Sequence, residues 1–160
     1  MDSKYILLNE TKVFEGRTLH RIEALKDFGD VKKGDKGGWI EKEFNLSQDE
    51  GCWVGDEACV YGNARVCGYA QVGGNAVISN HSYLSGFAHV YGDAVVSDDT
   101  WLHGHAQVYG NAVICGNAQV YGEAKVCDCA CVSGDGKVYG NACVGGNTTV
   151  SGYARVSGNA

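Results

Sequence analysis

From Val54 to Val156 an aliphatic residue returns at every sixth position, eighteen times without an insertion. Four residues after each aliphatic comes a small residue. It is Ala in fourteen repeats and Ser82, Thr100, Gly136 or Thr148 in the other four. Two residues after each aliphatic stands Gly in fourteen repeats and Asp56, Asn80, Asp98 or Asp128 in the rest. Gly, Asn and Asp are the residue types that accept a positive φ at low cost. A position restricted to these three, once per hexad, predicts a left-handed backbone corner. The small residue and the next aliphatic are two apart, so both point inward from a short strand. Three such corners close a triangle. Eighteen residues then make one coil, eighteen hexads make six coils, and at ~4.8 Å per coil the prism is roughly 29 Å long.

Other architectures fit poorly. An α-helix wants apolar residues at a spacing of 3.6, and β-branched Val with Gly in every hexad opposes it. Propellers and leucine-rich repeats have much longer periods. A pentapeptide solenoid needs a period of five, and right-handed β-helices usually have longer, irregular coils. Collagen is excluded because the chain has no Pro and no Gly-X-Y period. Glycine-rich disorder is opposed by a hydrophobic content of 44%. No apolar run approaches the ~20 residues of a membrane span.

On these residues the chain resembles the hexapeptide-repeat, left-handed parallel β-helix superfamily, which includes many acyltransferases. Left-handed coils are implied by that resemblance and not by the spacing, since the usual repeat has its Gly one residue after the aliphatic. Residues 20–54, HRIEALKDFGDVKKGDKGGWIEKEFNLSQDEGCWV, look more specifically like the start of the YdcK-like proteins. The expected fold is an all-β, single-stranded left-handed parallel β-helix of six coils over residues 52–160. A small β-rich N-terminal cap over residues 1–51 precedes it.

The leader has a composition of its own, with residues 1–50 holding 9 of the 13 Lys and Arg and 11 of the 19 Asp and Glu of the chain. Residues 5–8 and 18–25 read as strands around a turn at Glu15-Gly16. Residues 31–40 read as a further turn and strand, and their glycines lack the spacing of a phosphate loop. A solenoid has an open apolar end that must be covered, so Trp39, Ile40, Phe44 and Leu46 are expected to pack over the first coil. At the other end the repeat runs to Ala160 without a capping segment. The last coil, with Val156, is expected to be covered by another subunit or a partner, or to continue in a longer chain.

Residues eighteen apart stack, so the outer faces can be written down. The second face reads Cys59, Val77, Val95, Val113, Cys131, Thr149 before the aliphatic and Tyr61, Ser79, Ser97, Cys115, Ser133, Ser151 after it. It carries no charge. Val77, Val95, Val113 and Cys131, with Val156 at the open end, are the expected subunit interface. The third face should gather Tyr83, Trp101, His103, Tyr121 and Tyr139 into one exposed aromatic patch, the expected partner-binding surface. The first face carries Trp53, Gln71 and His89. Beside it runs an Asn/Asp ladder of Asn75, Asp93, Asn111 and Asn147.

The eight cysteines show no Cys-x-x-Cys spacing, and no two in the repeat are eighteen apart. They are read as reduced thiols with no metal site, and no cofactor is expected. The first residues lack a basic stretch followed by a long apolar core, which argues against a secretory signal and for the cytoplasm. The formal net charge of −6 disfavours nucleic acid and anionic membranes as direct partners.

The resemblance implies a His general base in a cleft between subunits, and His89, His103 and His105 are the weak catalytic candidates. Eighteen regular hexads leave little concavity for a substrate. The expected function is therefore a non-catalytic protein-interaction or scaffold β-helix, binding a protein partner, a second copy, or both, as a phage or prophage accessory protein would. One alternative is an acidic phage-encoded inhibitor of a host nucleic-acid-binding or defence protein, anti-CRISPR-like. Another is an acyl-CoA-dependent hexapeptide-repeat transferase.

Overall fold

The computed structural model describes residues 3–159. Ala160, the last small position of the period, lies outside the described residues. Every hexad from Val54 onward forms a two-residue strand, from β4 (Trp53–Val54) to β21 (Arg155–Val156). All eighteen predicted corner residues have positive φ, between 53° at Asp56 and 70° at Gly116. Each aliphatic pairs in parallel with the one eighteen residues later: Val54 with Val72, Val60 with Ile78, and Val66 with Leu84. The chain is thus the expected single-stranded parallel β-solenoid with three walls.

The walls are held by amides that donate one coil ahead. Val95 N donates to Ala112 O, Ser97 N to Ile114 O and Asp99 N to Gly116 O, each at 2.9 Å. Proline could donate in none of these positions, which explains its absence. The aliphatics and alanines fill the interior, most of them with no solvent exposure. Fully burying each Val is worth roughly 1.5–3 kcal/mol. The core is therefore a line of small equal contributions along the axis.

The leader continues the second wall. β1 (Tyr5–Phe14) and β2 (Arg17–Ala24) form an antiparallel hairpin, longer than the expected strands, around Glu15 and Gly16. Both turn residues have positive φ, as a tight primed hairpin turn requires. β3 (Lys36–Ile40) pairs antiparallel with β2 and parallel with the strand Cys59–Val60. Leu46 then bridges Val66 in parallel on the third wall. So Ile40 and Leu46, six apart, occupy inward positions of an additional, irregular coil ahead of the six expected.

Trp39, Ile40 and Leu46 are buried as expected, but Phe44 is half exposed. Phe44 lies two residues before Leu46, the position that Ala64 fills before Val66 in the next coil. A phenyl ring is too large for that space. The chain makes a short 3-10 turn at Glu43–Asn45 instead, and Phe44 turns outward beneath Arg65, 5.1 Å from its ring. Asn45 goes in, and its Nδ2 donates to Gly62 O and Ala64 O. Gly38 occupies the matching small position before Ile40, where a Cβ would lie 2.5 Å from Ala58 O.

The open end of this coil is closed by Lys4, which is 1% exposed. Its ammonium donates to the carbonyls of Cys52 at 2.7 Å and of Asp49 and Glu50 at 3.3 Å. Burial pulls the Lys4 pKa below its ordinary value and pushes the neighbouring Cys52 thiol up. Among the described residues no helix is long and apolar enough to cross a membrane.

Candidate functional site

Three features outside the core can do chemistry or make contacts. The first is the aromatic surface on the third wall. Tyr83 and Trp101, which begin their strands, stack at 6.4 Å, and Trp101 meets His103 at 4.0 Å. His103, Tyr121 and Tyr139 follow as a column with centroids 4.8 and 5.1 Å apart and planes within 5° of parallel. The coil repeat sets this spacing, because each ring sits one strand below the last. All five expected patch residues therefore come together. A second column, Tyr69, Phe87 and His105, runs along the adjoining corner at 5.2 and 4.9 Å.

The histidines do not share a site. His105 ends the corner column, and His103 is wedged between Trp101 and Tyr121. The Nε2 of His103 is buried without a hydrogen-bond partner, and burial lowers its pKa. His89 stands apart on the first wall, tilted against Tyr91 at 4.5 Å.

The second feature is the uncharged second wall. Val77, Val95, Val113 and Cys131 stand one above another, half-buried, in one parallel sheet. Towards the leader, on the outer side of the same sheet, lies a separate buried cluster, Leu19, Trp39 and Cys59 with Phe14 and Tyr61 beside them, covered by Lys12 and Arg21 at 4.7 and 5.0 Å from the Trp39 ring. Val156 lies on the third wall in the last coil, away from this stripe, and is partly buried.

The eight cysteines are all free thiols. Counting in eighteens finds only vertical neighbours, and the diagonal ones are sixteen apart. Cys131 lies close enough to Cys115 to add to the burial that pushes the Cys115 thiol up. Cys143 does the same to Cys127. Cys67 reaches Tyr83 Oη in the same diagonal way, at 3.2 Å.

The third feature was not legible in the repeat. The leader segment 27–36 lies beside the first wall and leaves two adjoining hollows of about 410 and 350 Å³. They share Asp30, Val31, Gln71 and His89. Trp53 and Phe28, edge to face at 5.3 Å, supply apolar wall. Asp35, Lys36 and Asp56 complete the rim. Burial beside these walls lowers the His89 pKa. The even surface expected of the prism is therefore interrupted here, because the leader does not follow the coil.

Comparison with known proteins agrees with this architecture. The YdcK beta solenoid repeat matches residues 58–74 and 106–122. A protein of Escherichia coli (strain K12) named "Uncharacterized acetyltransferase YdcK" is 35% identical over 80 residues, covering 44% of this chain and 24% of its own length. The chain thus spans about a quarter of that relative. In sequence repeat and in fold alike, the chain is a β-solenoid that carries YdcK-type repeats and has YdcK as a relative.

Proposed function

We propose that the protein is a non-catalytic interaction module whose second wall packs against the same wall of a second copy. The observation that carries this reading is the unbroken, uncharged stripe of Val77, Val95, Val113 and Cys131. The first and third walls carry charged residues at the equivalent positions, including Lys125 and Lys137. A flat, regular, apolar stripe suits an isologous contact, because each copy offers the other the same surface. The aromatic columns of the third wall then remain for a different protein. Exposed Trp101 and Tyr83, already immobilised by stacking, would lose little entropy on binding.

Val95→Arg tests the first contact. The side chain points outward, so the fold is expected to persist by circular dichroism while the assembled species is lost in light scattering. An assembly unchanged by Val95→Arg would exclude this wall as the interface. Trp101→Ala should leave assembly intact and weaken capture of a protein partner. An inhibitor of a host nucleic-acid-binding protein would act through the same surface, and such a partner would identify itself in that capture.

A second reading is favoured by the groove at His89 and by the acetyltransferase name of the relative. An imidazole that stays neutral near pH 7 beside a cavity can accept a proton from an acyl acceptor. Acetyl-CoA titration of the wild type and of His89→Ala tests it. Binding with turnover that His89→Ala abolishes supports transfer, and absence of binding removes it.

A further inference from the structure

We propose that the groove between the leader segment 27–36 and the first wall binds a small organic cation, an amine or guanidine on a short apolar chain. The proposal is independent of the second-wall contact. The shared and adjoining hollows, at about 410 and 350 Å³, are of the size that holds a small molecule.

The lining selects the charge. Three carboxylates, Asp30, Asp35 and Asp56, face one ammonium, Lys36, and Lys36 is drawn to Glu10 at 3.6 Å. Asp56 commits Oδ2 to Gly74 N at 2.9 Å, and Asp35 commits Oδ2 to Lys32 N at 2.9 Å. Each carboxylate keeps its other oxygen for a ligand, and Asp30 makes no side-chain hydrogen bond among the described residues. An anion would enter against this field, whereas a cation is drawn in by it.

The lining also selects the body of the ligand. Trp53 and Phe28 offer aromatic carbon to an alkyl chain or a ring face to a cation. Phe28 already receives the Lys4 ammonium, 4.9 Å from its centroid. His89 enters the groove without a hydrogen-bond partner of its own. An uncharged imidazole accepts an N–H bond and does not repel a cation.

Calorimetric titration with putrescine, with succinate as the anionic control of similar length, tests the proposal. Saturable binding of one putrescine per chain is expected, with no heat from succinate. The double variant Asp30→Asn/Asp56→Asn should bind about tenfold or more weakly, since both changes remove charge from the rim. Asn is tolerated at the Asp56 corner, as Asn80 shows at φ 60°, so the fold is expected to survive. Asp99→Asn, on a corner away from the groove, should bind as the wild type does. Equal binding of succinate, no putrescine binding at millimolar concentration, or unchanged binding by the double variant would each overturn the proposal.

Discussion

The carboxylate of Asp56 accepts a hydrogen bond from the amide of Gly74, one coil further on, at 2.9 Å. The same step recurs from Asp98 to Gly116 and from Asp128 to Gly146, also at 2.9 Å. The corner amide does not join the wall ladders, so an Asp in the preceding coil supplies its acceptor. Asp at a corner is therefore a tie between coils as well as a substitute for Gly.

Asp98 should show this most clearly, because it also accepts from Asn80 Nδ2 at 3.1 Å. Asp98→Ala removes both bonds and leaves a Cβ at φ 64°. The expected loss is about 2 kcal/mol, roughly half from the left-handed backbone and half from the bonds. Asp98→Asn should cost well under that, because Asn tolerates the corner and retains an acceptor. Urea denaturation of the two variants measures the difference.

Glycine matters unequally along the corners. A Cβ on Gly116 would lie 2.7 Å from Gly134 N and 2.9 Å from its O, whereas one on Gly146 meets nothing within 4 Å. Both have positive φ. Gly146→Ala should cost about 1–2 kcal/mol, the strain of the left-handed region alone. Gly116→Ala should cost more, about 3 kcal/mol, because the coils must separate as well. Thermal melts of the two variants rank them.

The wedged imidazole of His103 makes stability depend on acid. Burial holds its pKa below the ordinary 6.5, as it does for His89. Well above 6.5 both the folded and unfolded forms are neutral and stability is full. As pH falls below 6.5, the unfolded chain takes up protons that the fold resists, so stability declines. His103→Tyr would extend the Tyr121–Tyr139 column and should remove its share of the decline. Denaturation midpoints between pH 7 and pH 5 measure this.

Tyr109 should act at the other end of the scale. Its phenol is pushed up to about 12, first by its hydrogen bond with Cys127 and then by burial. Unfolded tyrosine loses its proton near 10. Stability should therefore fall as pH rises above 10, where the unfolded chain releases a proton that the fold retains. Cys127→Ala should bring the Tyr109 titration back towards 10, read by NMR of labelled tyrosine rings.

The corners and the interior were written in the sequence because a six-residue period maps each position onto one side of one strand. Ladders of outer residues followed from the same arithmetic, and so did the contact among Tyr83, Trp101, His103, Tyr121 and Tyr139. The leader's coil was hidden because Leu46 and Val54 are eight apart, two more than the period allows. Phe44 misled because its apolar character suggested burial where only a small residue fits. The diagonal thiol pairs are not legible at a spacing of eighteen, because side chains sixteen residues apart also meet across adjacent coils. The groove at His89 depends on where segment 27–36 comes to rest against Trp53 and Gln71, a long-range packing that no local spacing encodes.

Small-angle X-ray scattering of the purified protein over a concentration series tests the second-wall contact most directly. Two prisms joined along that wall should widen the particle while its length stays near one solenoid of about 30 Å plus the leader. The wider species should vanish in Val95→Arg. A particle that remains a single prism at every concentration, or one that doubles in length by end-to-end stacking, would contradict the contact.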